Sequence, residues 1–105
     1  MIIYLGKNKF LLEMIKMILA SISKGFYSMD IGADLFYQLE DLSAEYLVIE
    51  NQFLDIELIE KLLVYQSQKK IQIHIIGKES DPLPPSFNLL STPISPNQIK
   101  DFLSR

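Results

Sequence analysis

Apolar positions along the chain follow two alternating periods. Ile2-Ile3-Tyr4-Leu5 is an unbroken apolar run closed by Gly6, the pattern of a strand buried on both faces. From Phe10 the spacing changes to three and four. Phe10, Leu11, Met14, Ile15, Ile18, Leu19 and Ile22 predict a helix of about four turns, with Asn8 as its N-cap and Gly25 just past its end. Phe26 to Ile31 reads as a second strand, and Gly32 turns the chain into a shorter helix through Leu35, Phe36 and Leu39 that ends near Leu42 or Ser43. Tyr46-Leu47-Val48-Ile49 is the third strand. Asp55 caps a third helix whose expected inward set is Ile56, Ile59, Leu62 and Leu63, and Lys69-Lys70 suit the negative end of that helix. Ile71 to Ile76 is the fourth strand.

Beyond Gly77 the periodicity fails, because Pro82, Pro84 and Pro85 forbid a regular helix interior. Phe87 to Ser91 is a short fifth strand. Ser95-Pro96-Asn97-Gln98 then opens a last helix: Ser is the N-cap, Pro the first helical residue, and Gln sits where a capping box requires it, with Ile99, Phe102 and Leu103 inside. Alternation of this kind means one α/β domain spanning 1–105, a parallel sheet with helices on both faces.

Composition narrows the chemistry. With 49% hydrophobic residues, 22% charged and few Gly or Pro, the chain is a folding sequence and not a disordered one. The absence of cysteine excludes disulfides, thiolate metal sites and a cysteine nucleophile. A net charge of −3 has the wrong sign for a protein that draws affinity from phosphate backbones, so no nucleic-acid partner is expected. The apolar stretch from Phe10 to Ile22 is interrupted by Glu13 and Lys16 and is too short for a bilayer span, and no secretory cleavage pattern follows it. These features predict a cytoplasmic protein with no membrane partner.

Four pieces, in order, resemble the receiver domain of bacterial response regulators. They are Ile3-Tyr4-Leu5 leading into the first helix, Gly32 eighteen positions before Glu50, the strand Glu45-Tyr46-Leu47-Val48-Ile49-Glu50, and Thr92-Pro93-Ile94-Ser95. The resemblance implies a flavodoxin-like sheet of order 2-1-3-4-5. It also implies a phosphorylation pocket: an acidic pair after the first strand that holds Mg²⁺, an acceptor aspartate, a hydroxyl residue and a lysine. In this chain those positions carry Gly6 and Lys7, Glu50 (or Asn51, one register on), Gly77 and Thr92. Every chemical position departs from the pattern, and phosphoryl transfer depends on positioning and charge neutralisation. The residues therefore suggest a degenerate receiver without a phosphoacceptor, catalytic residue, metal or cofactor. Lys7 is a candidate to take the place of the missing metal and pair with Glu50; alternatively both side chains are solvated.

Only residues 78–86 separate Gly77 from Phe87, too few for the usual helical crossover, so the helix between the fourth and fifth strands is expected to be missing or replaced by a Pro-rich loop. Alternation along the fourth strand puts Gln72 and His74 on one face, expected to be the side thinned by that loss. His74, the single histidine, reads as a structural residue or a pH sensor. The first helix carries a broad apolar stripe and the third adds Leu58, Val64 and Tyr65 outside its inward set. Met14, Met17, Ile18, Leu58 and Tyr65 are accordingly candidate interaction residues, unless they belong to a wide core.

The leading expectation is a non-enzymatic, non-phosphorylated receiver-like domain that binds another protein of a bacterial signalling or regulatory pathway. Homodimerisation through the first helix, or through the edge left by the missing helix, is a further expectation. Two alternatives stand beside it. One is an atypical receiver that still accepts phosphate. The other is a small flavodoxin-like ligand binder in which Gly6 and Gly77 leave room for an anion near Lys7, although neither G-x-G-x-x-G nor G-x-x-x-x-G-K occurs.

Overall fold

The computed structural model describes residues 2–7, 9–22, 25–29, 32, 35–78, 82–91 and 95–103, and their side chains except at 19–22, 26, 102 and 103. Asn8 as a cap, the end of the second strand at Ile31, Thr92, and the inward side chains assigned to Leu19, Ile22, Phe102 and Leu103 lie outside this description. The elements are β1 (Ile2–Leu5), α1 (Lys9–Ile22), β2 (Phe26–Met29), α2 (Leu35–Leu42), β3 (Tyr46–Glu50), α3 (Ile56–Gln68), β4 (Gln72–Gly77), β5 (Asn88–Ser91) and α4 (Pro96–Leu103). All neighbouring strands pair in parallel, in the order β2-β1-β3-β4-β5. This is the flavodoxin-like topology that the resemblance implies. Among the described residues no helix is long and apolar enough to cross a membrane.

Two of the helix starts follow from capping side chains. Asp55 caps α3 by accepting from the Leu58 backbone N–H at 2.7 Å. At α4 the capping box closes reciprocally: Gln98 N donates to Ser95 Oγ at 3.3 Å and Ser95 N donates to Gln98 Oε1 at 2.9 Å. At the other end of a helix, α2 stops where Ser43 takes a left-handed backbone with φ of 52°.

The central strands β1 and β3 are buried throughout, and the alternation of their side chains divides the core in two. Ile2, Tyr4, Tyr46, Val48 and Ile76 face α1 and α4, meeting Leu11, Ile15, Ile18 and Ile99. Ile3, Leu5, Leu47, Ile49, Ile73 and Ile75 face α2 and α3, meeting Leu35, Leu39, Leu58, Leu62 and Tyr65.

Two expectations require correction. The buried set of α3 is Leu58, Leu62 and Tyr65, while Ile56 is 77% exposed and Leu63 also reaches solvent. Packing against the sheet and Phe36 selects the face: positions 58, 62 and 65 follow the i, i+4, i+7 spacing of one side, and Ile56, the first helical residue, falls outside it. The second correction concerns β4. His74 is buried, at 1% exposure, on the face covered by α1 and α4, with Nε2 3.3 Å from Gln72 Oε1 on the same face. The side that lacks a crossover helix is the opposite one, beneath Ile73 and Ile75.

There, no helix is present between β4 and β5 among the described residues, and the loop itself supplies cover. Phe87 is buried in the α2–α3 core and Leu83 packs against the same cluster. The loop is tied down by Phe87 N to Pro84 O at 3.0 Å. The Gln66 side-chain amide reaches both Ile71 O at 3.3 Å and Ser86 O at 3.2 Å. One aromatic side chain thus stands in for part of a helix face. Phe87→Ala is expected to lower stability by about 3 kcal/mol, near the low end for truncating a buried Phe, read as a reduced urea midpoint at unchanged m-value; a midpoint within error of the parent contradicts this role.

Candidate functional site

Parallel α/β sheets place their binding crevice at the carboxyl ends of the strands. Here that edge is formed by Leu5-Gly6-Lys7 after β1, Glu50-Asn51 at the end of β3, and Gly77 closing β4. Residues 2, 4 and 6 share a face with 46, 48 and 50, so Tyr4, Gly6 and Glu50 converge on the α1–α4 side of the strand ends.

Glu50 is buried, at 7% exposure, and its two carboxyl oxygens have separate partners. The Tyr4 hydroxyl donates to Oε1. The Gln52 side-chain amide donates to Oε2 at 2.6 Å. Tyr4 is itself fully buried, and Gln52 is brought back over Glu50 by the single 3₁₀ turn Asn51–Phe53, closed by Leu54 N to Asn51 O at 3.0 Å. Burial of a carboxyl group is unfavourable unless its oxygens are hydrogen-bonded, and this cage meets that demand with residues local to the site.

Gly6 completes the packing by what it lacks. A Cβ at this position would stand 2.5 Å from the Tyr4 hydroxyl and 2.7 Å from both Cδ and Oε1 of Glu50, all inside contact distance. The space that the sequence suggests for a small anion beside Gly6 is therefore occupied by the phenol and the carboxyl group, a correction to the ligand-crevice expectation at that residue. Lys7 also departs from expectation. Its side chain is exposed and its Nζ lies over the Phe53 ring, 5.9 Å from the centroid, a cation–π arrangement. The carboxyl group that it was expected to meet is turned inward onto Tyr4 and Gln52. Gly77 brings no hydroxyl to the edge, and Asn51 is half-buried beside Glu50.

Mg²⁺, which the receiver pattern implies, needs a set of hard oxygen ligands at short range. These residues do not fit it: Gly6 has no side-chain donor, Lys7 carries an ammonium, and both oxygens of Glu50 already accept hydrogen bonds. Among the described residues no group of three or more His, Asp or Glu side chains is arranged to hold a metal.

The candidate interaction residues divide. Met17 is 74% exposed and Met14 half-buried, but Ile18, Leu58 and Tyr65 are core residues and leave the exposed surface. Helical spacing explains each: Ile18 continues the Leu11–Ile15 row against the sheet, and Leu58 and Tyr65 flank Leu62. Sequence reasoning also missed Tyr4 and Gln52. Tyr4 reads as one more apolar strand residue, and the one available signal was its phenol, which needs a polar partner when buried.

Because the Glu50 cage leaves no room at residue 6, Gly6→Ala is expected to destabilise the fold by about 1–3 kcal/mol, the range for overpacking a filled site. Equilibrium urea unfolding measures this; a stability equal to that of the parent contradicts the close approach.

No family model matches the chain, and no curated protein matches it. Among solved structures the chain is similar to the chemotaxis response regulator CheY4 of Vibrio cholerae, with a TM-score of 0.74 at 15% sequence identity over 99% of this chain and 95% of that one. A second structure of Vibrio cholerae CheY4, crystallised at low pH, gives 0.73 at 15% identity over the same shares. At this identity the likeness establishes the fold, the flavodoxin-like arrangement that CheY4 has.

Proposed function

We propose that this protein is a receiver-like module of a bacterial signalling or regulatory pathway that works without phosphorylation and without catalysis of its own, by contact with another protein. The observation that carries the reading is the self-occupied crevice, in which the Glu50 carboxyl group is enclosed by Tyr4 and Gln52 where a phosphorylatable receiver keeps an accessible aspartate beside a metal. The departures at Gly6, Lys7 and Gly77 point the same way, since each removes a charge or donor that phosphoryl transfer would use. Similarity to a chemotaxis response regulator supports the signalling context. Exposed large apolar side chains favour a binding role: Phe10 and Met17 lie seven positions apart on one side of α1, and Val64 lies on α3.

Amide NMR of the labelled protein tests the reading during titration with Mg²⁺ and then with beryllofluoride, an acyl-phosphate mimic. The amides of Gly6, Lys7, Glu50, Asn51, Gly77 and Thr92 are expected to stay in place throughout. Saturable shifts at those amides would instead identify a working phosphoacceptor.

A further inference from the structure

Away from the strand ends, α2 and α3 enclose an open groove of about 440 Å³. Its floor is aromatic and aliphatic: Phe36 and Tyr65 meet with ring centroids 5.7 Å apart at 54°, and Val64, 57% exposed, extends the apolar surface toward solvent. Its rim is acidic. Glu40 on α2 and Glu60 on α3 both line the groove, and the cation that lines it with them, Lys61, is drawn 3.0 Å from Glu57 on its own helix. Since Lys61 and Glu57 offset each other, the rim keeps a surplus of two carboxylates over an apolar floor.

This negative potential reaches the floor. The Tyr65 hydroxyl is held above its ordinary pKa, first by burial and second by the negative charge of Glu40. A second acidic copy of the chain would meet like charge at this rim, whereas a basic segment would meet complementary charge.

Resting on the reading of the chain as a protein-binding module, we propose that the α2–α3 groove docks a basic amphipathic segment of a protein partner. An apolar side chain of that segment lies on Phe36 and Val64, above the largely buried Tyr65 ring, and Lys or Arg about one turn away meets Glu40 and Glu60. Arg suits the site best, because its guanidinium can pair with a carboxylate and stack on a ring together. The apolar contact supplies affinity and the carboxylates set polarity and specificity.

The probes are two short helical peptides with the same Leu/Trp face, one flanked by Lys and Arg and the other by Glu, titrated into the labelled full chain at low salt. The basic peptide is expected to shift amides around Phe36, Glu40, Lys61, Val64 and Tyr65, and the acidic peptide to bind more weakly. Glu40→Gln with Glu60→Gln, two exposed positions, should weaken the basic peptide by about tenfold, as loss of two surface ion pairs implies. Val64→Ser, also at an exposed position, should weaken both peptides, since they share the apolar face. Equal binding of both peptides, shifts confined to another face, or no binding at millimolar peptide would overturn the proposal. So would sedimentation showing a self-associated chain that buries the groove. The same spectra report Gly6 and Glu50, so a groove that fails beside an unmoved Glu50 cage removes this inference alone, while a beryllofluoride response removes the reading beneath it.

Discussion

The Glu50 carboxyl group, buried at the end of β3, is the constraint around which the carboxyl edge of this sheet is arranged. A buried carboxyl group needs hydrogen-bond donors, and the structure provides one from the neighbouring strand and one from the turn that follows. Tyr4 satisfies Oε1 because parallel pairing of β1 with β3 puts residues 4 and 50 on the same face near the strand ends. Gln52 satisfies Oε2 because the chain makes one 3₁₀ turn after Glu50 before extending into the α3 cap. Gly6 follows from the same cage, since any side chain there would enter it. Four residues are thus mutually dependent, and together they turn the place where this fold presents its chemistry into part of the core.

The same economy operates on the other face of the sheet. Where a crossover helix would normally bury Ile73 and Ile75, a proline-containing loop folds Phe87 and Leu83 inward and is anchored by the Gln66 amide. Both places are closed by side chains of the chain itself, so the open apolar surface lies on the outward sides of the helices. Phe10 and Met17 on α1, Tyr37 on α2, and Ile56 and Val64 on α3 are exposed, and Val64 belongs to the groove between α2 and α3.

Much of the architecture is legible in the sequence, because strand and helix periods alternate cleanly and the caps are strong. Asp55 and Ser95 with Gln98 mark helix starts that the structure reproduces bond for bond. The facing of α3 is not legible in the same way. Its apolar residues include Ile56, Leu58, Ile59, Leu62, Leu63, Val64 and Tyr65, so several stripes fit, and only packing against Phe36 and the sheet selects the one containing Leu58 and Tyr65. Similarly, alternation shows that Gln72 and His74 share a face, but which helices cover that face is a matter of handedness and docking, absent from a local pattern. The site was legible as a set of substitutions at Gly6, Lys7, Glu50 and Gly77. What those residues do instead depends on Tyr4, whose hydroxyl is invisible to a hydropathy pattern, and on a two-residue return by Gln52.

The Tyr4 hydroxyl and the Glu50 carboxyl group stabilise one another in the folded chain. A double-mutant cycle tests it most directly, with Tyr4→Phe, Glu50→Ala and the pair compared by equilibrium urea unfolding, so that cavity and burial terms of the single variants cancel. A coupling of about 1–3 kcal/mol is expected, the range for a buried hydrogen bond to a carboxyl group. Additivity of the two substitutions to within about 0.5 kcal/mol would contradict it.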